Sequence, residues 1–486
     1  VIQGLSLIRP GPSGSGMKEA FIRRKRGEEP VSYLVPEMKE ALEDTYGVML
    51  YQEDILKVSE AVAGFTMAVG DQLRKRITKE RSPEALGEMR EEFIGGARRR
   101  GVDPEAAVEV WEQIAAFASY SYCKAHATTY GHISYQAAYL KARWPAEFIA
   151  GVLANKAGFY DERSYYEDAR RFGVEILPPS VNRSGVECRA EISADGPGGA
   201  AGTDADEAGA IRPGLESVKS LSRRAIAGIM EERKRRPFAS LEDFCDRVRC
   251  RRQEIENLVL CGAFDWTGQN RPTLMMRLEV IRAGRETEKR KRSVVKKGLG
   301  LNSQPPRGGG RKVGGSGAAG HRAPEGWEHG AGRCREGKVG SVGSSEGYPL
   351  AERVRRELGI LGFSPSGHPL AVWGEAAEEP GLSRSFELPR RVGEPVIFVG
   401  WLVMMRRAVT KNREYMKFLC LEDRWGVVEV VVFPDVYRRC GEQLRGGGVF
   451  RVEGTVKEQH GAVSLVADGV GKVALPGSPA VSCGEL

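Results

Sequence analysis

Two segments carry side chains whose types and spacing suit the binding of a polyphosphate. In the first, Arg74, Lys75 and Lys79 present three cations within about one and a half turns of a predicted helix. Cations that converge from one helix can bind a triphosphate or a nucleic-acid backbone through charge-assisted hydrogen bonds to phosphate oxygens. An exposed charged helix, in which Asp71 and Glu80 partner these cations, accounts for the same pattern.

The second segment places a cation, an imidazole and a phenol close together, at Lys124, His126 and Tyr130. Small Ala and Thr residues lie between them, and such a crowd of hydrogen-bonding groups is unusual for a pure core. A structural role for the histidine remains the alternative. His126 and His132 do not have the spacing of metal ligands on a helix, which argues against a zinc site.

The chain has one D-x-D pair, Asp204 and Asp206, of the kind that can hold a divalent cation for phosphoryl transfer. Its setting is rich in Gly and Ala, whereas a two-metal site needs carboxylates on rigid strands. The sequence therefore predicts no metal site in this chain.

Composition limits the class of protein. The 486 residues carry a net charge of +8 and are 41% hydrophobic, which excludes a wholly disordered chain and is compatible with a nucleic-acid partner. No apolar run reaches the roughly 18 residues of a membrane span, and no signal peptide is recognisable. The nine cysteines form no C-x-x-C pair. We expect reduced thiols, a cytoplasmic location and no membrane partner.

Several elements position these residues. The part up to about residue 180 has helical periodicity, and Asp103-Pro104 is a helix start, followed by an apolar face that includes Val110, Ile114 and Phe117. Much of the glycine excess falls in 296–347, which we interpret as a flexible tether. A basic tether of this kind could also follow a phosphate backbone.

The part after the tether has short β-prone runs at 396–399, 417–421, 427–433, 449–456 and 463–466. A helical piece follows the third run, which is the layout of an OB barrel, although other small barrels share this pattern. Tyr415 and Trp425 are candidates for stacking on bases, and Lys411 is a candidate phosphate contact.

Longer blocks resemble a known family. RPGPSGSGM, FIRRKRGEEPVSY, TYGVMLYQEDILKV and SYQAAYLKARWPAEF are similar to the fingers region of the bacterial C-family replicative polymerase, the DNA polymerase III α subunit. The segments 209–248 and 258–271 resemble its tandem helix-hairpin-helix module, and 359–370 and 421–437 its OB region. The order is collinear over nearly the whole chain apart from the tether.

The resemblance implies a multidomain α+β fold with mainly helical polymerase fingers, a tandem helix-hairpin-helix module and a C-terminal OB-fold β-barrel. The expected segments are fingers at 1–185, the hairpin module at 186–280, a Gly/Arg-rich flexible linker at 281–347, a connector at 348–390, the OB domain at 391–475 and a tail at 476–486.

The resemblance also implies roles for single residues. Arg74, Lys75 and Lys79 would face the triphosphate of an incoming dNTP, Lys124, His126 and Tyr130 would line the same pocket, and Arg9 would brace the fingers or touch substrate. In the hairpin module, Lys219, Ser220, Ser222 and Arg223 would contact DNA, although the family has Gly-x-Gly where this chain has Ser220-Leu221-Ser222.

The implied function is part of a DNA-directed DNA polymerase that binds primer–template DNA, single-stranded template and dNTP. Mg²⁺ would be the cofactor, held by palm carboxylates that have no counterpart in this sequence, so we expect the chain alone to bind primed DNA without extending it. A sliding clamp and other holoenzyme subunits are further implied partners, although no clamp-binding motif is recognisable in the tether. The alternative is a non-catalytic DNA-binding protein derived from such a polymerase.

Overall fold

The computed structural model describes residues 1–8, 16–79, 83–118, 122–192, 209–298, 346–377, 379–410, 412–459 and 461–474. The chain divides into two compact units, Val1–Arg143 and Trp144–Leu486. No helix within the described ranges combines the length and apolar character that crossing a membrane requires.

The first unit is mainly helical, as its periodicity predicts. Its α-helices are α1 (Ile2–Leu7), α2 (Met17–Lys25), α3 (Met38–Leu42), α4 (Gln52–Ala63), α5 (Met67–Lys79), α6 (Pro83–Arg99), α7 (Pro104–Ala118) and α8 (Lys124–Arg143). The apolar faces of α3 to α7 share one buried core, in which α4 packs against α5, α6 and α7.

Helix α7 confirms the start and the apolar face that the sequence predicts. The Asp103 carboxylate accepts a hydrogen bond from the Ala106 backbone N–H at 3.0 Å, and Pro104 occupies the first helical position. Val110, Ile114 and Phe117 are almost completely buried. A cap and an apolar stripe of period 3.6 are local signals, so the sequence alone was sufficient here.

The second unit begins with helices and a small sheet. Its helices before the barrel are α9 (Pro145–Ala154), α10 (Glu162–Arg171), α11 (Arg223–Arg235), α12 (Leu241–Arg247), α13 (Arg252–Leu260), α14 (Arg271–Gly298) and α15 (Leu350–Leu361). The sheet has the order β1 (Glu175–Ile176), β3 (Ala210–Arg212), β2 (Arg189–Glu191). A single apolar cluster reaches from Ala146 to Phe363, across the segment boundaries expected at 185 and 347.

The C-terminal part of this unit is a closed barrel with the OB layout that the β-prone runs predict. After the short strand β4 (Leu382–Ser383) come β5 (Pro395–Val409), β6 (Tyr415–Glu422), β7 (Val427–Val432), helix α16 (Pro434–Cys440), β8 (Val449–Gln459) and β9 (Ala462–Lys472). Antiparallel pairs β5–β6, β6–β7, β8–β9 and β5–β8 and the parallel pair β7–β9 close the barrel. Phe398, Val430 and Phe450 are among the side chains that fill it.

A buried ion pair joins the barrel to the helices of its own unit. Arg163 of α10 donates a hydrogen bond to the Glu422 carboxylate at the end of β6, and both side chains are almost completely buried. The Arg171 guanidinium lies 3.6 Å from the same carboxylate. The Arg163 guanidinium also lies over the Trp401 ring, 5.1 Å from its centroid. The end of β6 is therefore held by α10.

Glu422→Gln tests this junction, because the variant leaves the Arg163 charge buried without its counter-ion. We expect the free energy of unfolding to fall by about 3–5 kcal/mol, measured by urea denaturation and tryptophan fluorescence. Glu394→Gln is the matched control, because Glu394 pairs with Arg391 on the exposed surface. This variant is expected to lose less than about 1 kcal/mol of unfolding free energy. Equal losses in the two variants would contradict the role of the buried pair.

Candidate nucleotide and nucleic-acid interface

The first turn of α4 holds the beginning of α8. The Gln52 backbone N–H donates to the Tyr122 carbonyl at 2.9 Å. The Glu53 carboxylate accepts hydrogen bonds from the Lys124 backbone N–H at 3.0 and 3.2 Å. A carboxylate at a helix N-terminus satisfies an N–H group that has no partner within the helix and complements the helix dipole. The segment with Lys124 is thus fixed by a residue about seventy positions earlier in the chain.

Helix α5 packs closely on the other side of α4. A Cβ added at Gly70 would lie 3.3 Å from the Leu56 Cα, tighter than most contacts, so glycine permits this approach. Leu73 and Ile77 turn into the core. On the 3.6-residue period, this orientation leaves Arg74 partly exposed and Lys75 exposed.

Arg74 and Lys75 of α5 both pair with Asp71. The Arg74 guanidinium donates to the Asp71 carboxylate at 2.8 Å, and the Lys75 ammonium lies 2.6 Å from it. Hydrogen bonds from Lys75 and Arg74 hold the pKa of the Asp71 carboxyl below its usual value. A triphosphate at these cations would compete with this carboxylate. Lys79 is the last residue of α5, and its side chain lies outside the described residues.

The aromatic groups of α8 form a row along the helix. The His126 ring lies 5.2 Å from the Tyr122 ring and 4.5 Å from the Tyr130 ring, centroid to centroid. The Lys124 ammonium lies 5.4 Å from the centroid of the Tyr51 ring. His126 and Tyr130 are exposed, whereas Ala127 and Gly131 are buried.

Gln52 of α4 contacts both Arg74 of α5 and a residue just before α8. The link is Gln52: its side-chain oxygen lies 3.5 Å from the Arg74 guanidinium, while its backbone N–H bonds to Tyr122. Sequence analysis missed the roles of Gln52 and Glu53. The available signal was two acidic residues in the first turn of a predicted helix. Arg9 lies outside the described residues.

The hairpin module presents its predicted residues on a clamped loop. Ser220 has φ 64°, in the left-handed region that favours glycine, where the family pattern has Gly. The Lys219 backbone N–H donates to the Ile360 carbonyl at 3.0 Å, and the Ser222 hydroxyl accepts from Ala225 N–H, capping α11. Lys219, Ser220 and Arg223 are exposed together.

One backbone N–H group that was expected to bind a phosphate, that of Ser222, already donates to a carboxylate within the protein. The Ser222 backbone N–H donates to the Glu254 carboxylate at 2.9 Å, so it is not available to a phosphate in this state. The exposed side chains of Lys219, Ser220 and Arg223 remain the candidate DNA contacts of this loop.

The barrel does not bring its two predicted stacking residues together. Tyr415 begins β6, is half-exposed and lies under the Arg407 guanidinium, 4.7 Å from its ring centroid. Trp425 lies in the turn after the other end of the same strand. Eight residues of strand separate these ends by roughly 26 Å. Lys411 lies outside the described residues.

No carboxylate set suited to Mg²⁺ occurs in the part of the chain that the structure describes, where no group of three or more His, Cys, Asp or Glu side chains is placed to hold a metal ion. Asp204 and Asp206 lie outside the described residues. The described residues therefore do not fit the cofactor that the resemblance implies.

Adjoining cations on a helical unit, an exposed basic hairpin and an OB barrel define a protein that binds nucleic acid. Residues 1–101 match the bacterial DNA polymerase III alpha subunit finger domain, residues 173–274 a helix-hairpin-helix motif, and residues 396–473 an OB-fold nucleic acid binding domain. The chain is similar to part of the bacterial DNA polymerase III alpha subunit, by family a DNA-directed DNA polymerase.

Individual relatives match along most of the chain. The DNA polymerase III subunit alpha of Aquifex aeolicus is 32% identical over 468 residues, covering 94% of this chain and 34% of the relative. The error-prone DNA polymerase of Symbiobacterium thermophilum is 32% identical over 473 residues, 91% of this chain and 40% of the relative. The Bacillus subtilis DNA polymerase III subunit alpha is 30% identical, with 95% and 37% covered. The chain thus spans about a third to two fifths of these relatives.

The buried Asp54 carboxyl at the start of α4 makes the stability of this region depend on pH. It accepts hydrogen bonds from the Leu50 and Tyr51 backbone N–H groups, each at 2.8 Å, and burial raises its pKa from the usual 3.8 to about 6. Between about pH 4 and pH 6 the folded protein keeps a proton that the unfolded chain has lost. This contribution to stability is therefore lost as the pH rises.

Asp54→Asn removes this titration while keeping an oxygen that can accept the same hydrogen bonds. We expect the unfolding free energy of the wild type, relative to the variant, to fall by up to roughly 3 kcal/mol between pH 4 and 6, and to stay constant above pH 7. Urea denaturation of both proteins at a series of pH values measures it. A difference that does not change with pH, or that changes with the opposite sign, would contradict the raised pKa.

Proposed function

We propose that this chain supplies the nucleotide-binding and DNA-binding surfaces of a DNA-directed DNA polymerase. The observation that carries the proposal is that Gln52 contacts both Arg74 of α5 and Tyr122, which precedes Lys124 and His126 in the chain. A dNTP brings a polyanion and an aromatic base, and this surface offers cations and aromatic rings at adjoining positions.

The chemistry assigned to these residues is binding and positioning. Phosphoryl transfer passes through a loose transition state that is stabilised by positive charge and orientation. Arg74 and Lys75, together with Lys79, would hold the triphosphate. The ring of Tyr130, half-exposed on α8, would lie beside the base or sugar. His126 stands between two aromatic rings and would orient the nucleotide rather than transfer a proton.

The hairpin and the barrel would hold the DNA. Lys219 and Arg223 flank the serine loop and would contact backbone phosphates, which fix register without reading sequence. Tyr415 and its Arg407 neighbour offer a stacking platform for single-stranded template. Mg²⁺, a sliding clamp and other holoenzyme subunits enter the proposal as partners of a whole polymerase, which would work in the cytoplasm.

The salt dependence of DNA binding tests the hairpin assignment. Each phosphate contact contributes about 0.9 to the slope of log K against log salt concentration for duplex DNA. We expect Lys219→Ala combined with Arg223→Ala to lower the slope for primed duplex DNA by about 1.8, because two counter-ion-releasing contacts are lost. Fluorescence anisotropy over a range of salt concentrations gives the slopes.

Arg235→Ala is the matched control, because Arg235 lies at the far end of the same helix and pairs with Glu232 at 2.9 Å. Its slope is expected to equal that of the wild type. If the hairpin variant keeps the wild-type slope, the loop does not contact phosphates. If the wild type shows no salt-dependent binding at all, the proposed function itself is wrong.

A further inference from the structure

A cleft opens beside the turn that follows β6, away from the Tyr415 end of the barrel. It has a volume of about 390 Å³, and its lining includes Arg384, Asp423, Arg424 and Trp425. This volume lies within the roughly 300–1,000 Å³ range of small-molecule sites. Leu382, Ser383 and Arg384, which sequence analysis did not single out, form one side of the cleft.

The cleft is held rigid by a buried carboxylate. One oxygen of Asp423 accepts hydrogen bonds from the Trp425 and Gly426 backbone N–H groups, at 2.9 and 2.8 Å, and from the Ser385 hydroxyl at 2.6 Å. Its other oxygen accepts from the Ser385 backbone N–H at 2.8 Å. The turn with Trp425 and the segment with Arg384 therefore form one unit, preceded directly by Glu422 and its buried pairing with Arg163.

The exposed part of this unit is aromatic and cationic. Trp425 is 43% exposed and Phe386 is 53% exposed, and their ring centroids lie 5.7 Å apart. The guanidinium groups of Arg384 and Arg424 lie over the Trp425 ring at 4.7 and 5.4 Å from its centroid. Exposed aromatic rings of this size on a rigid support are typical of binding surfaces.

The local charge balance favours an anionic ligand. Glu379 lines the cleft, but its carboxylate lies 3.2 Å from the Arg451 guanidinium. Arg384 and Arg424, with Arg451 paired to Glu379, outnumber the carboxylates of Glu379 and Asp423 by one charge. The cleft is therefore weakly positive beside an indole ring.

We propose that this cleft is a second single-strand-binding site, which takes one unpaired base against Trp425 and the adjoining phosphate against Arg384. Every base offers a π-face and every nucleotide a phosphate, so a Trp–Arg pair binds without reading sequence. The proposal rests on the proposed DNA binding of the chain and extends it. It adds a site about one strand length from Tyr415, so a strand that occupies both sites must cross the barrel.

Two lengths of labelled oligothymidylate, about 5 and about 20 nucleotides, test this with the full chain, because the shorter one spans a single site. Trp425→Ala is expected to weaken binding of the longer strand by about 5- to 150-fold and to remove one bound short strand per chain. Trp425→Phe, which keeps a ring, should restore most of the affinity. Arg384→Ala should weaken binding and lower its salt dependence.

Two controls match these changes. Arg390→Ala removes an exposed arginine of the same segment that does not line the cleft, and Trp266→Ala removes a partly exposed indole elsewhere. Both are expected to bind like the wild type. Thermal unfolding of each variant shows that loss of binding is not loss of fold.

The outcomes separate this site from the function on which it rests. If Trp425→Ala and Arg384→Ala bind both strands like the wild type while the wild type binds with salt dependence, the cleft proposal is overturned and the proposed function stands. If the wild type binds neither strand, the cleft proposal is overturned, and the proposed function fails as well only if primed duplex DNA is not bound either. If Trp425→Ala loses binding of poly-glutamate but keeps binding of oligothymidylate, the cleft takes an acidic protein segment and the proposal is overturned.

Discussion

The first turn of α4 is the constraint on which the proposed nucleotide surface depends. This turn contacts both α8 and α5. The Glu53 carboxylate and the Gln52 N–H bind the segment at the beginning of α8, and the Gln52 side chain contacts Arg74 of α5. Asp54 fixes the turn itself by accepting two backbone N–H groups in a buried setting. Because α5 also packs on α4 through the close approach at Gly70, the cations and the aromatic row cannot shift independently. Holding groups in a fixed geometry in this way is one means by which proteins accelerate reactions such as phosphoryl transfer.

In the second unit, buried carboxylates also hold the backbone in place at the end of β6. A buried carboxylate pairs with arginines of α10, and the next residue, Asp423, binds the turn that carries Trp425. Burying charges costs solvation, and good geometry with several hydrogen bonds is needed to offset that cost. In the first unit Glu53 fixes the helix start that carries Lys124, and in the second unit Asp423 fixes the turn that carries Trp425. The residues proposed to bind the ligand are separate from those that hold them in place.

Local patterns allowed much of the fold to be predicted. Asp103-Pro104 marked the start of α7, and the β-prone runs fall on the five strands of the barrel. Long-range contacts could not be predicted in the same way. Strand β5 continues to Val409 because it pairs with β6 along its length, well beyond the predicted run. Glu53 meets Lys124, and Arg163 meets Glu422, across distances in sequence that no spacing rule covers. For α5, the sequence had offered Asp71 as a partner of the cations, and the structure shows this pairing with Arg74 and Lys75.

The central claim is that α5 and α8 form one triphosphate-binding surface. The pairing of Asp71 with Arg74 and Lys75 allows the most direct test of this claim. Asp71→Asn frees Arg74 and Lys75 from their carboxylate partner, so the affinity of the full chain for a dNTP should rise about two- to fivefold, the size expected of an exposed ion pair. Arg74→Ala should lower it. Calorimetric titration of the wild type and both variants with the same dNTP measures the two changes. Opposite changes would support the account, because a merely structural role for Asp71 would lower affinity in both variants. A loss in both variants, or no change in either, would contradict it.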